Sequence, residues 1–86
     1  MNNELYQRAL DKFGVGVQLT VAVEELSELT KEVCKMIRNI GNTNDLAEEV
    51  ADVEIMCEQL RHIFSIDADV DDWKKYKLNR LANRLR

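Results

Sequence analysis

Apolar residues return at steps of three and four along most of this chain, the spacing that places them on one face of an α-helix. The longest series is Leu19, Val23, Leu26, Leu29, Val33, Met36, Ile37 and Ile40. A second runs Leu46, Val50, Val53, Met56, Cys57, Leu60, Ile63 and Phe64. With no proline in the chain, the breaks fall to glycine and capping residues, at Gly14 with Gly16, at Gly41 to Asp45 and at Asp67 to Asp69. The pattern predicts four helical segments, at about residues 3–12, 17–40, 45–66 and 70–85. Asn44 or Asp45 is placed to cap the third, with Asp45 and Glu48 in a capping-box relation.

The second and third segments, joined by the short polar link around Asn42 to Asn44, read as an antiparallel helical hairpin. Projected at about 100° per residue with Glu25 at zero, the apolar series of the second segment fills an arc from about 20° to 160°. Glu24, Glu25, Glu28 and Glu32 form a continuous strip beside that arc, with Val21 among them. In the third segment Glu49 falls inside the apolar arc, and Asp52 lies at its edge one turn away. A carboxylate aimed into a core must neutralise or find a cation, and no lysine or arginine shares that face.

Composition narrows the class. Eighty-six residues, 45% hydrophobic with three glycines and no proline, fit one all-α domain spanning residues 1–86. A chain this short buries a small fraction of its surface, so a short helical bundle completed by homo-oligomerisation, as a dimer or tetramer, is the expected architecture. Ala51 and Ile55 give the third segment a second apolar patch for such contacts. No apolar run approaches the length that spans a bilayer, and the polar start of the chain argues against secretion, leaving a cytoplasmic protein without a membrane partner as the expectation.

The net charge of -4 hides a division along the chain. Residues 1–72 hold sixteen acids and six bases, whereas residues 73–86 hold six bases and no acid. An acidic body suits cations and a basic end suits phosphate; the overall balance argues against a general duplex-DNA binder, so nucleic acid is an unlikely partner. Cys34 and Cys57 have 22 residues between them and His62 is the lone histidine, which excludes a zinc knuckle and a CxxC redox pair. Both cysteines are expected as small buried residues in a reducing compartment. His62 has no nucleophile partner.

The carboxylates carry the candidate chemistry. Glu25 with Glu28, and Glu49 with Asp52, each place two acids one turn apart, and in a hairpin the two pairs can face one another. Their sequence distances from the link differ: about 13 residues separate Glu28 from Gly41, and 5 separate Asn44 from Glu49. A tilted crossing, an extra turn or a partner subunit's helix would be needed to level them. Convergent carboxylates repel unless a hard cation neutralises them, and an all-oxygen shell suits Mg2+ or Mn2+. Read alone, the acids of the second segment are equally a solvated helix face; Glu49 inside an apolar arc is what that reading leaves unexplained.

The sequence Glu24-Glu25-Leu26-Ser27-Glu28, followed after 20 residues by Glu49-Val50-Ala51-Asp52, resembles the EExxE…ExxD signature of the MazG-like all-α nucleoside triphosphate pyrophosphohydrolases. Lys75-Tyr76-Lys77-Leu78-Asn79-Arg80 is similar to the K-x-x-x-N-R element that follows in that family. The likeness covers about residues 4–84.

The resemblance implies hydrolysis of a (d)NTP between its α and β phosphates to the monophosphate and pyrophosphate, as in clearance of surplus or non-standard nucleotides. It implies Glu25, Glu28, Glu49 and Asp52 as Mg2+ ligands, Glu24 as the residue that orients or deprotonates the attacking water, and Lys75, Asn79 and Arg80 as phosphate-binding groups. Trp73 and Tyr76 are expected chiefly to anchor the last helix to the core, with stacking on a base as their second use. Gln18, after two glycines too sparse to form a phosphate loop, is a candidate to approach the nucleotide. The competing reading is a non-catalytic helical module that binds a partner or a nucleotide.

Overall fold

A computed structural model describes residues 2–86 and is all-helical: α1 (Asn3–Ile37), α2 (Thr43–Ile63) and α3 (Asp67–Arg84). The two predicted N-terminal segments are one helix, broken at a single residue. Gly14 adopts φ 83° and ψ 162°, a backbone open to glycine, and the chain resumes helical geometry immediately afterwards. Gly16, expected to widen the break, lies inside the helix.

The two elbows share one design, and it moves both helix ends from their predicted places. At the end of α1, Asn39 takes φ 59°, its N–H donates to the Met36 carbonyl, and the Ile40 N–H donates to that of Lys35. At the end of α2, Ser65 takes φ 53°, its N–H donates to His62, and the Ile66 N–H donates to Arg61. Each is a Schellman cap with a polar residue in the left-handed position that glycine more often fills. Gly41 serves another purpose: a Cβ there would sit 3.0 Å from Met36 Sδ and 3.1 Å from Lys35 Cβ, so the loop folds directly against the last turn of α1.

Helix α2 begins two residues before the predicted start because Asn42 is the cap. Its Oδ1 accepts from the Asp45 N–H at 2.8 Å, and its Nδ2 donates to Asp45 Oδ2 at 2.8 Å. That reciprocal pair replaces the anticipated Asp45–Glu48 box. The acids predicted as a break before α3 form its first turn instead, where they meet the positive helix end.

Packing departs furthest from expectation. Helix α1 meets α2 through Gln18, Ala22, Glu25, Leu29 and Glu32, of which Gln18, Ala22 and Glu32 are buried. Across the seam lie Met56, buried, and Glu49, Asp52, Val53 and Leu60, half-buried. Tyr6 and Gln7, near the start of α1, reach the far end of α2: Tyr6 Oη donates to Glu58 Oε1 at 2.8 Å, and Gln7 Oε1 lies 2.8 Å from His62 Nε2. The apolar arc expected as the core of α1 is therefore mostly outside, with Val23 63%, Leu26 49% and Ile37 74% exposed, and Leu19, Val33, Met36 and Ile40 exposed too. It is rotated by about 70° from the face that α2 covers. Small Ala22 and flexible Gln18 let the helix axes approach where a leucine stripe would hold them apart.

The cysteines are exposed as well, contrary to expectation, since neither lies on the seam. Helix α3 packs on α2 by its first turns alone. Ile66 and Val70 adjoin Cys57 and Leu60, and Arg61 Nη1 reaches Asp67 Oδ1 at 2.9 Å and Asp71 Oδ1 at 2.8 Å. Every residue from Asp71 onward is exposed. Trp73 and Tyr76 do not anchor the helix; they touch each other edge to face at 5.9 Å, with Arg80 over the Tyr76 ring. The radius of gyration is 15.5 Å, against about 12 Å for a compact chain of this length. None of the described helices is long and apolar enough to cross a membrane.

The two N-terminal glycines should respond oppositely to alanine. Gly14→Ala forces a side chain into a left-handed backbone and should cost about 1–3 kcal/mol. Gly16→Ala meets no atom within 4 Å and should add about 0.5–1 kcal/mol. Thermal denaturation of the two variants checks both signs.

Candidate metal centre

The seam between α1 and α2 brings three of the four expected ligands together. One carboxylate oxygen each of Glu25, Glu49 and Asp52 lies within 4.8 Å of the others, and all three residues are half-buried. The difference in height anticipated from the sequence shrinks because α1 stops at Ile37. Glu28 and Asp52 each stand nine residues from the loop-side end of their helix, 28 to 37 and 43 to 52. No extra turn is required.

Glu49 is the most constrained of the set. Its Oε2 is inaccessible to solvent and has no hydrogen-bond partner, the state expected of an anionic oxygen only when a cation or proton occupies the remaining space. Burial pushes its carboxyl above the ordinary glutamate range, and the charges of Asp52, Glu25, Glu28 and Glu48 push further in the same direction. Glu25 is raised in the same way, by burial first and then by Asp52, Glu28 and Glu24. Among the described residues, no lysine or arginine forms an ion pair with Glu25, Glu49 or Asp52.

Glu28 is exposed and outside the close trio, although its charge is felt by both Glu25 and Glu49. Glu24 is exposed beside Glu25. Glu48 is a contributor that the sequence reading passed over; the doublet Glu48-Glu49 repeats Glu24-Glu25 on the facing helix and was the available signal. Toward the loop the seam is closed by Glu32, 9% exposed, which accepts from Lys35 Nζ at 3.2 Å. Away from the loop it opens into a cavity of about 320 Å³ lined by Phe13, Val17, Gln18, Val21, Met56 and Gln59. Gln18, 7% exposed, lies on the wall of that cavity, about two turns along α1 from Glu25.

The cationic element is elsewhere. Lys75, Asn79 and Arg80 lie on the exposed part of α3, which makes no contact with α1. A single chain does not bring them to the carboxylates. Comparison with protein-family models, with curated proteins and with solved structures finds no match for this chain. The family likeness of its motifs therefore rests on their residues and spacing.

The donor set fits a hard divalent cation: three convergent carboxylates, one orphaned buried oxygen and an open side where water can complete the shell. A soft metal is disfavoured because the convergent donors are all carboxylate oxygens, with no cysteine or histidine among them. The raised carboxyls fix a sign for pH dependence. Without metal, folded Glu25 and Glu49 bind protons more tightly than the unfolded chain does, so their contribution is fully present below the ordinary value of 4.5 and is lost as pH rises through their raised values. Metal-free protein should melt at lower temperature at pH 7 than at pH 5. Glu49→Gln should flatten that slope, and Mg2+ should raise the melting temperature more at pH 7 than at pH 5. Melting curves across pH, with and without Mg2+, read all three.

Proposed function

We propose that the protein is a Mg2+-dependent nucleoside triphosphate pyrophosphohydrolase, converting a (d)NTP to the monophosphate and pyrophosphate in the clearance of surplus or non-standard nucleotides. The observation that carries this reading is the convergence of Glu25, Glu49 and Asp52 around the buried, unpartnered Glu49 Oε2. A purely structural helix pair gains nothing from three like charges in its seam, and apolar residues of similar volume would stabilise it more. A bound nucleotide-metal complex gives those charges a use.

In this reading Glu25, Glu49 and Asp52 hold the cation from within the seam of an antiparallel hairpin, with Glu28 completing the set from the rim. Mn2+ fits the same oxygens. A divalent cation held there would supply acidification of a water and relief of negative charge on the α phosphate. Glu24, exposed beside Glu25, orients that water or accepts its proton. Lys75, Asn79 and Arg80 hold the β and γ phosphates and stabilise the leaving pyrophosphate. The cavity beyond the carboxylates, with the Gln18 and Gln59 amides on its wall, lies one to two turns away along the same seam. It is open to a sugar or base.

The enzyme acts as a homo-oligomer. Leu19, Val23, Leu26, Val33 and Ile37 on one side of α1, with Ile40 just past its end, leave on the order of 600 Å² of apolar surface, at the upper end of what a monomer shows in one patch. That is close to one partner's share of a standard interface. A second copy presenting the same stripe covers it reciprocally, and the cytoplasm, where nucleotides and Mg2+ meet, is the setting.

The exposed stripe also suits a helical interaction module, and one experiment separates the readings. Pyrophosphate release is measured from a panel of NTPs and dNTPs with Mg2+ and with chelator. Wild type should release pyrophosphate in a metal-dependent manner, and Glu49→Gln should lower the rate roughly 100- to 1,000-fold with helix content unchanged. A folded, oligomeric wild type that releases none would favour the interaction module. Leu26→Asp should reduce the mass in sedimentation to the 10.0 kDa of one chain.

A further inference from the structure

Past the Arg61 anchorage, α3 is an arm. Lys74 still borders Cys57, Glu58 and Arg61 of α2, and every residue after it is exposed. Projected at about 100° per residue, the arm has sides of different chemistry. Trp73, Tyr76, Lys77, Arg80 and Arg84 fall within an arc of about 100°, at helical spacings that make one stripe about 17 Å long. Leu78, Leu81 and Leu85 centre about 140° from the two aromatics, and Lys75 and Asn79 also face away from the stripe. Trp73 and Tyr76 meet edge to face at 5.9 Å, with Arg80 over the Tyr76 ring at 6.0 Å, and both rings keep more than half of their surface open.

A stripe that interleaves aromatic rings with cations has two kinds of group to satisfy. Its cations require a series of anions, and its rings require flat apolar surfaces. Single-stranded nucleic acid supplies both along one strand: phosphates for Lys77, Arg80 and Arg84, and bases to stack on Trp73 and Tyr76. A duplex keeps its base faces stacked inside and leaves the rings unmatched. A helix lying in a lipid surface places its aromatics with its leucines and its charges opposite, and this arm does the reverse.

The charge balance of -4 that disfavours nucleic acid is a sum over the whole chain, and the fold divides that sum. Residues 73–86 carry six bases and no acid. They extend about 20 Å, against a screening length of about 8 Å at physiological salt, so the outer turns are shielded from the acidic body. At the base of the arm Asp67 and Asp71 are paired with Arg61. Asp69, one turn before Trp73, is in line with the stripe and marks its inner end.

We propose that this stripe binds single-stranded RNA or DNA, with Trp73 and Tyr76 as the stacking platform and Lys77, Arg80 and Arg84 following the phosphates. It stands apart from the nucleotide-hydrolysing reading and shares only Arg80 with it.

Trp73 is the one tryptophan of the chain, so its fluorescence reports on the stripe directly. The full chain is titrated, in chelator, with oligo-dT and oligo-U of about 12 nucleotides. Trp73 emission should be quenched on binding, and log affinity should fall with log salt at a slope of about -2, from three phosphate contacts. Trp73→Ala should weaken binding roughly 5- to 100-fold while Trp73→Phe retains most of it. Lys77→Ala with Arg84→Ala should reduce the slope to about -0.7. The ratio of the two affinities assigns RNA or DNA as the tighter ligand. No binding at low salt, binding that leaves Trp73 emission unchanged, or equal affinity for inorganic polyphosphate or a duplex of the same length would overturn the proposal. Attachment to phosphatidylserine vesicles but not to the oligonucleotides would give the arm to a lipid surface and overturn it as well.

Discussion

The seam between α1 and α2 holds Glu25, Glu49 and Asp52 at positions where a helix pair of this size ordinarily places leucines, and their mutual repulsion in a partly desolvated space constrains the rest of the chain. Because the seam is given to acids, the main apolar stripe of α1 is turned away from α2. Because α2 spends one side on the acids and part of the other on the Arg61 anchorage of α3, none of the described elements covers that stripe. The extended shape follows, and so do the raised carboxyls of Glu25 and Glu49. A helix pair that maximised its own stability would rotate α1 until Leu26 and Val33 met α2. This one gives that up and keeps its carboxylates together.

Much of this was legible in the sequence, and the unreadable part has a definite physical character. Period and breakers located the helices to within a few residues, with the misses at Asn39 and Ser65 and at Gly14, where a kink within one helix stands in place of a break between two. A left-handed cap by a non-glycine residue leaves little trace in a sequence. Glu49 inside an apolar arc identified the seam acid, and the i, i+3 spacing with Asp52 gave its neighbour. Which arc of α1 would be buried was not readable. Periodicity shows that Leu19, Leu26 and Val33 share a face but not which neighbour that face will meet, within the chain or outside it. Trp73 and Tyr76 were misplaced for the same reason: large aromatic residues on an amphipathic helix announce burial without saying by what.

Segregated charge links the two ends of the molecule. Arg61 is the one described base in ion pairs that cross between helices, and its partners are the first-turn acids of α3. That pairing removes Asp67 and Asp71 from the acidic field and directs the remaining positive length of α3 outward. The carboxylates of the seam and the bases of the arm are thus held apart within one chain by the same residue that fixes the elbow.

The break at Gly14 divides the first helix into parts of unequal attachment. Residues after it are held along the seam, while the turns before it are fastened to α2 mainly by Tyr6 on Glu58 and Gln7 beside His62. One residue with non-helical dihedrals weakens the coupling between the two, since cooperativity in a helix passes from each turn to the next. The N-terminal turns therefore form a separate opening unit, able to lift and reseat while the carboxylate seam stays shut. Amide exchange in residues 3–13 would report the local opening of this unit, set by the burial of Tyr6 and two side-chain contacts, and not the stability of the whole fold.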